Sequence, residues 1–173
     1  MRLDFRTYMP FFLVCLGLFG RFIPHLPNMT PITAICLVAG VYMSRPSLAF
    51  GIPLLTLVAS DWIFGVMYPG IVWVYLGFIG IMVIGRMAKQ SMLSGKWVFV
   101  TLAGSSCFFV VSNFGVWVSS GLYPHTFGGL LEAYVLALPF FRNAVLGDIL
   151  YVPVLLMVCR YWPSFSKQDV PVL

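Results

Sequence analysis

Long apolar runs fill this chain, interrupted by short stretches rich in proline, glycine and charge. The runs predict helical spans at about 8–23, 31–43, 47–66, 71–87, 97–118 and 140–162, with a short additional helix at about 128–138. A bilayer-crossing helix needs about 20 mostly apolar residues, so a chain of 173 residues is filled by such segments and leaves no room for a soluble domain. The expected fold is all-α: one polytopic membrane domain, 1–173, with six transmembrane helices. Pro10 falls in the first turn of its span, where proline is tolerated. The stretch RFIPHLPNMTP carries Pro24, Pro27 and Pro31 and predicts an extended, ordered loop. The second run is short for a span unless that loop also lies within the membrane, a pattern that accompanies binding sites in transporters. Pro53 predicts a kink in the third span, and MYPG reads as a tight turn before the fourth.

Composition agrees with this pattern. The chain is 61% hydrophobic and 9% charged, well above the apolar share of soluble domains. Its net charge of +5 does not point to nucleic acid, because the basic residues are scattered between apolar runs. Six spans with an internal N-terminus put Arg2, Arg6, Arg45, Arg86, Lys89, Lys96, Arg160 and Lys167 on the inner side and only Arg21 and Arg142 outside. That is the asymmetry of the positive-inside rule; five or seven spans would break it. Arg2 and Arg6 before an apolar run superficially resemble a signal peptide, but no small-x-small site follows, so the segment reads as a retained first span. The last residues, PSFSKQDVPVL, read as a frayed end.

The polar residues inside or beside the spans carry the functional signal. A carboxylate at a helix centre in lipid costs roughly 2.5–3.5 kcal/mol on insertion scales and is usually kept for a role. The richest stretch is Ser112–Tyr151, with Asn113, Trp117, Tyr123, His125, Glu132, Arg142, Asn143 and Asp148. At 1.5 Å per residue, Asn113 and Asp61 fall about 7.5 Å below the outer ends of their spans, and Asp148 about 12 Å below. Ser106, Asn113 and Trp117 share one helical face. His25 and Asn28 belong to the first outer loop and His125 to the last. This one-sided grouping marks an outward-facing ligand site of His25, Asn28, Asp61, Asn113, Trp117, Tyr123, His125, Arg142, Asn143 and Asp148. Most members have a bland alternative, and each histidine can simply hydrogen-bond within its loop. Asp61 can bridge to Arg21, and Asp148 to Arg142 or Arg21. Asn113 can join two helices, and the aromatics can belong to an interfacial belt.

Other chemistries find no support. Cys15, Cys36, Cys107 and Cys159 sit in separate apolar runs without metal-ligand spacing. No nucleophile elbow, HExxH, paired-aspartate motif or phosphate loop occurs. The expectation is a non-enzyme without metal or cofactor.

The runs RFIPHLPNMTPITA, SDWIFG, SNFGVWVSSGLYP and LPFFRNAVLGDILY resemble those of an uncharacterised family of small bacterial integral membrane proteins, which is in turn similar to the substrate-binding S components of energy-coupling factor (ECF) vitamin transporters. The resemblance covers about 21–151. It implies an S-component-like six-helix bundle in the bacterial inner membrane, with both termini cytoplasmic, that captures a vitamin-like molecule from outside. It also implies a transmembrane coupling subunit with two ATPase subunits as partners, besides lipid and the small-molecule substrate. The alanine pair such proteins often use for docking has no counterpart in the first span, where Gly17 and Gly20 lie three apart; small pairs do occur at Cys36/Gly40 and Ser47/Gly51. Two rival classes stay open. One is a stand-alone secondary transporter or channel relaying protons through Asp61 and Asp148, and the other is a membrane enzyme or scaffold.

Overall fold

In the computed structural model, the described residues are 5–43, 45–63, 65 and 68–161, and among them every regular element is an α-helix. In chain order these are α1 (Phe5–Phe22), α2 (Ile32–Tyr42), α3 (Pro46–Ile63), α4 (Ile71–Met87), α5 (Lys89–Leu93), α6 (Trp97–Ser119) and α7 (Phe127–Tyr161). Three of them, α3, α6 and α7, are long and apolar enough to cross a membrane, and α2, α4 and the Met9–Arg21 part of α1 are shorter apolar segments. The expected inner-side charges Arg2 and Lys167, residues 64, 66 and 162 of the expected spans and the tail 163–173 lie outside the described residues.

The organising element is α2. It has 11 residues, about 16 Å of helix, and all but Tyr42 are buried. Helices α1, α3, α4, α6 and α7 surround it. Its start follows from Pro31, which stands at the N-cap and ends the loop that three prolines keep out of helix. Its composition suits a helix without a polar side: ITAICLVAGVY offers small residues where neighbours come closest. Gly40 faces the backbone of α4 and Gly85 faces the backbone of α2. A methyl group at Gly40 would stand 2.7 Å from the Met82 carbonyl oxygen, and one at Gly85 would stand 2.7 Å from that of Leu37. The α2–α4 seam therefore requires glycine on both helices. It also absorbs the Cys36/Gly40 pair, which is internal packing rather than an exposed docking stripe. Gly17 and Gly20 likewise face Thr56 and Pro31, whereas Gly51 of the Ser47/Gly51 pair has open space beside it.

Around α2 the bundle presents apolar side chains outward. Phe11, Phe19, Leu55, Trp62, Phe99 and Met157 are all exposed, and an apolar exterior of this kind suits a hydrocarbon solvent. The polar connections collect at two ends. One holds the loop 23–31, the turn at Tyr68–Gly70, where Gly70 has φ 93°, and the loop 120–126. The other holds Arg45, Arg86, Lys89, Lys96 and Arg160. There the Arg86 guanidinium donates to the Met43 carbonyl at 3.3 Å.

Two expectations are corrected. The helix expected at 128–138 and the span at 140–162 are one continuous helix, α7, running through Pro139 and Pro153. A proline costs a helix the bond to the carbonyl four residues back, here Val135 and Ile149, yet in an apolar bundle neighbouring groups can absorb that loss and the helix continues. The connection between α4 and α6 contains the short helix α5, which the apolar pattern did not announce.

Candidate functional site

A cavity of about 290 Å³ opens between α1, α2, α3, α4, α6 and α7 at the end of the bundle that carries the loop 23–31. That is near the lower bound of small-molecule pockets. Its floor is the beginning of α2, with Ile32 and Thr33. Asn28 and Thr30 from the loop contribute, Asn28 adopting a left-handed φ of 64° that asparagine tolerates. Its walls are Phe78 of α4, Phe108 and Phe109 of α6, and Phe140 and Phe141 of α7. Phe78 and Phe108 pack with centroids 4.5 Å apart, and Phe109 and Phe141 at 4.7 Å.

Two charged centres face this space. The first is an ion pair: Arg21 Nη1 lies 2.7 Å from Asp61 Oδ1. The same nitrogen donates to Ser60 Oγ at 2.6 Å, and the Tyr75 hydroxyl donates to Asp61 Oδ2 at 2.9 Å. Nearby Tyr68, in the α3–α4 connection, also lines the cavity. Burial, reinforced by Asp61, raises its phenol above the ordinary range while Arg21 draws it down, so it stays a neutral hydroxyl at physiological pH. The second centre is Asp148 on α7, 1% exposed. Ser105 Oγ donates to its Oδ2 at 2.7 Å, and Thr33 is a second hydroxyl partner. Ser105 in turn sits one helical turn from Thr101, whose carbonyl its hydroxyl also approaches at 3.0 Å.

Of the ten residues read from the sequence as a site, Asn28, Asp61, Asn113 and Asp148 line the cavity. Asn113 does so while its amide donates to the Phe109 carbonyl at 2.8 Å. The other six lie elsewhere. His25 is exposed in its loop, its ring beside the Leu26 carbonyl. Asn143 is buried where α7 meets that loop, donating to the Pro27 carbonyl at 3.3 Å, and its Oδ1 meets no donor among the described residues. Trp117 and His125 close the α6–α7 connection on each other. The indole N–H donates to the Pro124 carbonyl at 3.0 Å, the imidazole lies 3.1 Å from the Trp117 carbonyl, and the rings meet edge to face at 5.5 Å. Tyr123 belongs to the same connection and does not reach the cavity. Arg142 is exposed on α7, away from both carboxylates, so Asp148 pairs with neither Arg142 nor Arg21.

The physical reasons are specific. Because α7 starts at Phe127, Asp148 lies 21 residues along it, about 31 Å. Its partner Ser105 lies 14 residues before the end of α6, about 21 Å down, rather than the 12 Å expected for Asp148. The α6 face was displaced by one residue: Ser106 is exposed, and the cavity face is Ser105, Phe108, Ser112 and Asn113. Serines and phenylalanines are unremarkable in an apolar helix, so only the three- and four-residue spacing of Ser105, Ser112 and the phenylalanine pair could have indicated them. Among the described residues no group of histidine, cysteine and carboxylate side chains is placed to hold a metal ion.

The chain belongs to a family of unknown function, DUF6580, whose model matches residues 2–170. No curated protein and no solved structure matches it.

Proposed function

We propose that this member of DUF6580 is a six-span membrane protein that binds a small organic molecule in the cavity above α2. We further propose that it acts as an S-component-like substrate-binding subunit for uptake of a vitamin-like nutrient. The observation that carries this reading is Asp148: a carboxylate buried midway along two packed helices, facing a cavity lined by aromatic rings. Buried intramembrane carboxylates mark ligand and ion pathways. A short, largely buried helix whose N-terminus meets the cavity is similar to the half-helices whose N-termini face substrate in transporters. The six spans are α1, α2, α3, α4, α6 and α7, with the loop 23–31 completing the path of α2 across the bilayer. The cluster Arg45, Arg86, Lys89, Lys96 and Arg160 at the opposite end supports a cytoplasmic placement for that end and an external one for the cavity. Delivery would then depend on a transmembrane coupling subunit driven by two ATPases.

Native mass spectrometry of the gently solubilised protein from its own host tests this. The expected result is a bound molecule of vitamin size together with coupling and ATPase subunits. An empty protein that supports uptake in liposomes lacking any ATPase would favour a second reading, a stand-alone proton-coupled carrier. What favours that second reading is that Asp148 has hydroxyl partners but no basic one among the described residues.

A further inference from the structure

The charge inside the cavity does not balance. Arg21 and Asp61 cancel at 2.7 Å. Asp148, the other carboxylate lining the cavity, has only the hydroxyls of Ser105 and Thr33 as partners among the described residues. The cavity lining contains no lysine or histidine, and Arg21, its one arginine, is engaged by Asp61 and Ser60. Thr33 lies in the first turn of α2, so Asp148 also faces the positive end of a helix, which favours the carboxylate form without neutralising it. Ionised, Asp148 leaves the cavity with one negative charge in excess. A desolvated charge left unpaired is strongly unfavourable, so Asp148 is neutralised either by a proton or by a bound cation, and a ligand cation can take the proton's place.

The walls point the same way. Phe108, Phe109, Phe140 and Phe141 line the cavity on the helices that carry Ser105 and Asp148. Aromatic faces attract cations, more strongly when water is excluded, and they stack on flat ligands. An anionic ligand would meet Asp148 head on.

From this we infer that the cavity selects a small aromatic monocation, a protonated amine or ring nitrogen on a body of one or two rings. Its nitrogen pairs with Asp148, and its ring lies among the phenylalanines. The inference rests on the binding reading given above and specifies its substrate class. A bound cation completes the charge balance that Arg21 completes for Asp61.

The test uses the full chain in lipid nanodiscs and three probes of one size and differing charge: benzylamine, benzyl alcohol and benzoate, at matched millimolar concentrations. Thermal unfolding is expected to shift upward with benzylamine, less with benzyl alcohol and not with benzoate. Asp148→Asn is expected to weaken benzylamine by about tenfold or more, the scale of removing one partner of a buried charge pair. Equal shifts from benzylamine and benzyl alcohol, a larger shift from benzoate, or full benzylamine binding in D148N would overturn the cation assignment and leave the cavity as a binding site. No shift from any probe would overturn both. The wild-type series alone decides the preferred charge, so the assignment stays falsifiable even if D148N does not fold.

Discussion

Arg21 at the end of α1 and Asp61 near the end of α3 form an ion pair with a 2.7 Å contact, their side chains 21% and 8% exposed. It ties α1 to α3, and it is backed by Ser60 and Tyr75. Removing Arg21 leaves the buried Asp61 carboxylate with a hydroxyl donor but no counter-charge. Arg21→Met is therefore expected to destabilise the protein by about 3–5 kcal/mol, and Asp61→Leu by less, because Arg21 is partly exposed and keeps its bond to Ser60. The double variant is expected to recover much of that loss, because an apolar pair needs no partner. Thermal unfolding of the four proteins in one detergent gives the coupling energy, and additive losses would exclude the pair as a unit.

The α2–α4 seam predicts a contrast among glycines. Gly40→Ala and Gly85→Ala each drive a methyl group against a backbone carbonyl of the other helix. Each is expected to cost about 1–3 kcal/mol, the range for overpacking. Gly51→Ala, with open space at its side, is expected to be neutral or to stabilise by up to about 1 kcal/mol through helix propensity. Melting temperatures measured side by side would settle it. A destabilised G51A with an unaffected G40A would contradict this packing.

The α6–α7 connection is held by Trp117 and His125, and neither lines the cavity. Trp117→Phe and His125→Ala are expected to change probe affinity by less than about twofold while losing about 1 kcal/mol of stability each, the usual worth of a hydrogen bond. Isothermal titration with benzylamine beside a thermal melt separates the two effects. A large loss of affinity with unchanged stability would return these residues to the site.

Asn143 predicts a partial cancellation. Asn143→Ala removes the donor that holds the Pro27 carbonyl, but it also removes a buried oxygen that meets no donor among the described residues. The first loss costs about 1 kcal/mol and the second change offsets part of it. The expected outcome is near-unchanged global stability with faster amide hydrogen exchange across 23–31. Unchanged exchange in that loop would mean that the Asn143 bond to Pro27 does not hold it.

Much of the helical layout was legible because apolar runs bounded by proline and glycine mark helix ends locally. The expectation of 71–87 coincides with α4, and 31–43 and 97–118 differ from α2 and α6 by a single residue at most at either end. Pro139 misled, since its local signal says break while the surrounding bundle carries the helix through. The grouping of Asn28, Asp61, Asn113 and Asp148 around one cavity could be anticipated because polar residues are rare here and each is conspicuous. The partners were harder to foresee. Ser105 and Thr33 carry no charge, and their meeting with Asp148 depends on how far α7 slides along α6 and α2, which no local pattern encodes. Arg142 misled in the opposite way: a lone arginine six residues from Asp148 lies 600° of helical rotation away, at 100° per residue, and so turns to another face.

The burial of α2 bears on how the chain is made. An eleven-residue segment reaches only about half the thickness of a bilayer core, so it has no autonomous hold on lipid while it is being synthesised. It acquires a stable place only when later helices surround it. Gly85 of α4 must arrive before Gly40 has a partner, and Asp148 lies near the far end of the chain from Thr33. The cavity is thus among the last parts of the molecule to exist, and a truncated product ending before α7 would expose a helix that belongs in the middle.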